Sequence, residues 1–172
     1  MALVVSGAPP AVSLLQAELA AIADEERRLA FGAFSNEDGI ALGLAVLAAA
    51  RAGGHAVAVE VRRFAGQQVV FHGALDGALP DFAHWIARKA RVVERFHRSS
   101  FGFGREMLLK GKTLADYALD EREYAAHGGG FPITVVGAGV VGAVVVSGLP
   151  QAEDHRLVVS VLEAFLAARG GR

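Results

Sequence analysis

Two short apolar runs near the end of the chain constrain its fold most: Phe131 to Val136 and Val140 to Ser147, joined by Gly137-Ala-Gly139. β-Branched runs of this length on either side of a glycine turn read as a β-hairpin. The second run is almost wholly apolar, so neither of its faces suits water and helices are needed on both. That requirement points to a layered helix–sheet domain rather than a bundle or a one-faced sheet.

The rest of the chain supplies the layers. Ser13-Leu-Leu-Gln16 is a capping-box pattern that opens a helix to about Leu29. Ser35-Asn36-Glu37-Asp38 opens a second helix, with Ile40, Leu44 and Leu47 as its apolar positions and Gly53-Gly54 as its end. The period then changes to two. His55 to Arg63 reads as a strand with Val57, Val59 and Val61 on one face. Gly66-Gln67 turns the chain, and Gln68 to His72 returns as its partner. Pro80-Asp81 begins a third helix, to about Arg98. Residues 101–126 read as short helices and loops anchored by Leu114 and Tyr117, and Pro150 starts a last helix. The order α-α-β-β-α-(short helices)-β-β-α predicts an α+β fold: an antiparallel sheet flanked by helices. It is expected as a single domain over residues 13–169, behind a loose N-terminal tail over 1–12.

Composition excludes several classes. With 53% hydrophobic and 20% charged residues, the 172-residue chain can bury a core and is not a disordered type. It has no cysteine, so disulfides, thiolate metal sites and thiol nucleophiles are out of reach. The first residues lack a signal-peptide pattern, and no apolar run approaches a membrane span, so a cytoplasmic protein with no membrane partner is expected. The net charge of −1 hides a basic segment over 84–112. No nucleic-acid-binding module accompanies it, so nucleic acid is not an expected partner.

The last hairpin also predicts a site. If Val136 and Val140 flank the turn, Phe131 stands opposite Val145. His127-Gly-Gly-Gly130 then lies beside the stretch from Ser147 to His155. This gathers His127, Gly128, Gly129, Ser147, His155 and a helix N-terminus, a neighbourhood suited to an anionic group. His155 falls in the middle of the apolar arc of Val158, Val159, Leu162, Phe165 and Leu166, so it should face the protein. In the third helix, Lys89 projects into the apolar arc while Arg88 belongs to a basic stripe. Lys89 either lines a pocket and holds a ligand carboxylate, or pairs with an internal acid, or the helix is phased differently. No zinc motif, phosphate loop or hydrolase triad is visible.

Several motifs in order resemble a branch of the haem-degrading domain family. They are Trp85-Ile-Ala-Arg88-Lys89, Phe96-His-Arg-Ser99-Ser100, Gly111-Lys-Thr-Leu-Ala-Asp116, His127-Gly-Gly-Gly-Phe-Pro132, and Gly142 to Gly148 followed by Asp154-His155. The resemblance covers about Leu14 to Leu166. It implies a profilin-like fold, an oligomeric protein, and a relationship to haem-binding proteins and to accessory proteins of glycolate metabolism. Two positions depart from the branch. Asp81-Phe82 stands where an Asp-Asn pair is usual, which puts a polar contact near the third helix in question. Gly39-Ile40 stands where a tryptophan is frequent, which is expected to alter only the packing of the core.

Two functional readings follow. In the first, the pocket takes haem or another carboxylate-bearing small anion. His127 or His155 would ligate iron or move protons, Arg88 and Lys89 would hold carboxylates, and the glycine N–H groups would complete the cradle. In the second, the protein is a non-enzymatic homo-oligomer, a dimer or larger, that acts through self-association or partner contacts.

Overall fold

The computed structural model describes residues 10–170. The chain runs α1 (Pro10–Arg28), β1 (Ala30–Phe31), α2 (Asn36–Ala52), β2 (Ala58–Arg63), β3 (Gln68–Ala74), α3 (Phe82–Phe96), α4 (Ser100–Leu109), β4 (Gly130–Val135), β5 (Gly139–Ser147) and α5 (Gln151–Ala168). The five strands form one sheet in the order β1-β4-β5-β2-β3. β5 therefore sits in the middle, as its apolar sequence demands.

Its side chains divide between two cores. Val144 and Val146 join Val57, Val59, Val61, Phe131 and Ile133 beneath α2 and α5. Ala143 and Val145 join Ala58 on the other face, against Ile86, Ala90 and Val93 of α3. Each fully buried valine or isoleucine contributes about 1.5–3 kcal/mol, so the two-sided burial of β5 holds the layers together. A third cluster fixes the long connection before β4. Leu114 and Tyr117 pack there against Val92, Phe103 and Met107, the anchoring expected of them.

The structure corrects the sequence reading at four places. α1 begins at Pro10, so residues 10–12 of the expected tail are helical and Ser13 is not the cap. Residues 1–9 of that tail lie outside the described part. The sheet is mixed rather than antiparallel, because Ala30-Phe31 pairs in parallel with Thr134-Val135. Two residues are too few to show a strand periodicity.

α2 has the expected capping box: the Asp38 amide donates to Ser35 Oγ and the Ser35 amide to Asp38 Oδ2. Yet it buries Gly39, Leu42, Gly43, Val46 and Ala50, and leaves Ile40 and Leu44 exposed. The cause is steric. A Cβ on Gly43 would stand 2.1 Å from the Phe71 ring, so the helix lies down on β3 along its glycines. Gly39, at the position that departs from the family pattern, lies equally close to the sheet, where a Cβ would stand 2.8 Å from Val70 Cγ1.

The hairpin register is also displaced. Phe131 pairs with Val144, not Val145, because the turn falls at 136–138 and a bulge interrupts the ladder between Ile133 and Thr134. The consequence drawn from the hairpin survives. The Val146 amide still donates to the Gly129 carbonyl, so the glycine run lies beside the end of β5.

Candidate functional site

At that end of the sheet is a cleft of about 250 Å³, lined by Phe82, Trp85, Lys89, His127, Ser147, Gly148, Leu149, Gln151 and Asp154. Four segments meet there: the first turns of α3, the His127 loop, the end of β5 and the start of α5.

Lys89 forms the floor and is only 3% exposed. Its Nζ donates to Asp154 Oδ2 and to the Val146 carbonyl, both at 2.9 Å. Burial pushes the Lys89 pKa down, against the pull of Asp154. Burial pushes the Asp154 carboxyl up, against the pull of Lys89. Asp154 also accepts from the Leu149 amide at 3.1 Å, so it closes the loop that leads into α5. Of the alternatives open for Lys89, the internal ion pair is the one formed, and it lies on the cleft wall.

His127 stands at the rim. Its ring meets Trp85 edge-on, with centroids 5.3 Å apart. Its pKa is lowered, first by burial of the ring and then by the charges of Lys89 and Arg88. Trp85 is itself held by Asp81, whose Oδ2 accepts from the indole N–H at 3.0 Å. The Arg88 guanidinium lies 4.5 Å from the centre of the same indole. Arg88 makes no ion pair among the described residues, and its buried Nε has no partner. Phe82, one of the two departures from the family pattern, lines the cleft with an apolar ring beside this polar group.

The glycines are required by contact. A Cβ on Gly128 would stand 1.8 Å from the Gln151 carbonyl oxygen. One on Gly129, whose φ is +120°, would stand 2.2 Å from the Val146 oxygen and 2.9 Å from Lys89 Nζ. The run thus lets the loop press against both β5 and α5.

His155 is placed differently from the expectation. It faces inward as its helical phase predicts, but it does not line the cleft. Its Nε2 lies 2.9 Å from Glu25 Oε2 of α1, and its ring packs against Phe101 and Phe131. Nδ1 is buried without a partner. Burial lowers its pKa, opposed by Glu25. The hairpin brings the backbones of His127 and His155 to one end of the sheet, but α5 separates their functions. One imidazole serves the cleft and the other ties α5 to α1.

The structure thus brings together Lys89, His127 and Ser147 from the expected set, with Arg88, Gly128 and Gly129 supporting them. It adds Asp154, Trp85, Phe82 and Gln151. Asp154 is visible in sequence only as a member of the Asp154-His155 motif and as an acid near the start of the last helix, with no partner indicated. The signal that points further is the need of an inward-facing lysine for an acid partner. A larger groove of about 740 Å³ runs beside β1, but its charged residues, Asp38 and Arg169, pair with each other at 2.6 Å.

Comparison with known proteins fits this architecture. The model of the haem-degrading HbpS-like proteins matches residues 34–163. The chain belongs to that family. It is 51% identical over 162 residues to a UPF0303 protein of Streptomyces coelicolor, covering 94% of this chain and 98% of the relative. A UPF0303 protein of Burkholderia thailandensis is 49% identical over 150 residues, covering 87% and 90%. Among solved structures, Ybr137w superimposes with a TM-score of 0.81 at 29% identity, covering 88% of each chain. The PduOC:heme complex superimposes with a TM-score of 0.62 at 17% identity, covering 78% of this chain and 94% of the other, a likeness of fold. No helix among the described residues is long and apolar enough to cross a membrane.

Haem, the group that the family implies, does not fit inside the cleft. A volume of about 250 Å³ is below the ~300–1,000 Å³ usual for sites that enclose drug-sized ligands, and a porphyrin is larger still. One imidazole, His127, reaches the cleft, whereas His155 Nε2 is held by Glu25.

Proposed function

We propose that this protein binds a small carboxylate-bearing anion in the cleft at the hairpin end. The observation that carries the reading is the Arg88 guanidinium, without an ion-pair partner among the described residues. It does not itself line the cleft but lies 4.5 Å from the centre of the Trp85 ring that does, while the charges on the lining, Lys89 and Asp154, neutralise each other. The start of α5 adds N–H dipoles of the same sign at Gln151, and Ser147 and His127 offer further polar contacts. Phe82, Trp85 and Leu149 suit the carbon skeleton of such an ion. The membership of the HbpS-like family makes haem, through its propionates, one such ligand, bound at the mouth rather than enclosed.

Trp85 is the single tryptophan, so its fluorescence reports on the cleft directly. Titration with propionate and with haemin should change its emission saturably, and Arg88→Gln should weaken both responses. Haemin should also give a Soret shift that His127→Ala reduces and His155→Ala leaves in place. Indifference of Trp85 to both compounds would overturn the reading.

Association between copies is a second reading, favoured by one observation. α2 and β3 leave Ile40, Leu44 and Val69 exposed beside the open edge of the sheet. Light scattering that gives a monomer at high concentration would remove it.

A further inference from the structure

We propose that Lys89 is a carbonyl-capturing amine, and that the cleft forms a protonated imine with a small 2-oxo acid. The inference rests on the anion-binding reading for the carboxylate and adds a reaction at the neighbouring carbonyl. Its basis is the placement of the Lys89–Asp154 pair. A purely structural pair has no need of a cleft, yet both residues line one, beside the Ser147 hydroxyl. Gly129 supports the same conclusion. Any side chain there would meet Lys89 Nζ at 2.9 Å and the Val146 oxygen at 2.2 Å, so glycine is what lets the loop pack against the amine without displacing it from the cleft lining. Lys89 has three N–H bonds, and the Asp154 and Val146 oxygens take two of them.

The chemistry needs a neutral amine, and desolvated lysines are the ones that provide it. Burial lowers the pKa of Lys89 and raises that of Asp154, so both shifts favour passing the proton across the 2.9 Å hydrogen bond. The Nζ lone pair then attacks the carbonyl carbon, forming the C–N bond. Asp154 returns its proton to the carbonyl oxygen, takes one from nitrogen, and gives it to the departing hydroxyl. The C–O bond breaks and water leaves. In sum, an ammonium and a carbonyl become an iminium and water, with no oxidant or reductant. The iminium keeps the positive charge beside Asp154, so the buried carboxylate is never left unpaired. The skeleton of the acid would lie on Trp85 and Phe82, and its carboxylate in the field of Arg88 and the start of α5.

The test is reductive trapping of the full-length protein with pyruvate and cyanoborohydride. Peptide mass mapping is decisive, because Lys110 and Lys112 are the other two lysines and both are exposed. The expected result is a reduced pyruvyl adduct on Lys89, on the order of tenfold above Lys110 and Lys112, as for a lysine activated by desolvation. It should persist in Lys110→Arg/Lys112→Arg and vanish in Lys89→Arg. If the latter fails to fold, the map of the unaltered protein decides. Parallel binding of propionate, which has no carbonyl, is followed through Trp85. A propionate response without enrichment on Lys89 would overturn the amine and leave the anion reading in place. A Lys89 adduct without a propionate response would support the amine and retire the anion reading.

Discussion

Removing the two members of the buried ion pair should have unequal costs. Asp154→Ala leaves the Lys89 ammonium buried at 3% exposure, with the Val146 carbonyl as its remaining recorded partner. Breaking a buried pair in this way costs about 3–5 kcal/mol. The variant also strands the half-buried Leu149 amide, which donates to Asp154 Oδ1, and the loss of that partner adds up to ~1 kcal/mol. Lys89→Met instead removes the cation and leaves a carboxylate that still accepts from the Leu149 and Gly148 amides. Its cost should fall near the lower end, about 3 kcal/mol. The combined variant replaces both charges and should cost less than the sum of the two, by a coupling of ~2 kcal/mol. Urea denaturation with a common slope measures all three. At 172 residues, Asp154→Ala should lower Tm by on the order of 10 °C. A cost under about 1 kcal/mol for Asp154→Ala, or a larger cost for Lys89→Met than for Asp154→Ala, would refute the reasoning.

Other expectations follow from the same structure. Gly128→Ala drives a methyl into the Gln151 carbonyl. It should cost about 3 kcal/mol by chemical denaturation and weaken any cleft ligand. Gly43→Ala meets a movable ring rather than backbone. The gain in helix propensity should offset part of the overpacking, leaving a loss of ~1–2 kcal/mol; no loss would mean that Phe71 moves freely. His155 is harder to protonate folded than unfolded, because burial lowers its pKa below 6.5. The unfolded chain binds the extra proton, so this stability is present above pH 6.5 and is lost as pH falls toward the folded pKa. His155→Gln should flatten the pH dependence of the urea midpoint in that range. An NMR titration should place His127 below 6.5, and Arg88→Gln should move it upward by removing a nearby charge.

The legible parts of the fold were those whose pattern depends on local contacts. Val57, Val59 and Val61 alternate because they share the face that packs beneath α2 and α5, although Ala58 and Glu60 on the other face are buried too, and the almost wholly apolar β5 points to layers on both sides. The inward turn of His155 and the misplaced charge of Lys89 were visible as helical phase. What escaped depends on distance along the chain. Glu25 meets His155 and Asp154 meets Lys89 across separate elements, and no spacing encodes those meetings. The buried face of α2 is not legible because apolarity points to Ile40 and Leu44, whereas contact with Phe71 selects for the absence of a side chain at Gly43. The hairpin register differs by one because the turn displaces the pairing by two and the bulge beside Ile133 restores one of them; neither has a sequence mark, since any of the neighbouring small and branched residues can be the extra one.

The strand order has a consequence for how the molecule comes into being. β1 and β2 belong to the first 63 residues, yet the hairpin that separates them in the sheet begins at residue 130. During synthesis the early strands have no central partner to pair with. Until that hairpin slots between them, the β2 edge that later accepts β5 stays open, and the β2–β3 hairpin is marginal on its own. Such late, long-range closure makes for slow folding. It also exposes an apolar strand edge that another nascent chain can extend. A chain cut before Gly130 should therefore aggregate rather than fold, although it retains three quarters of the sequence.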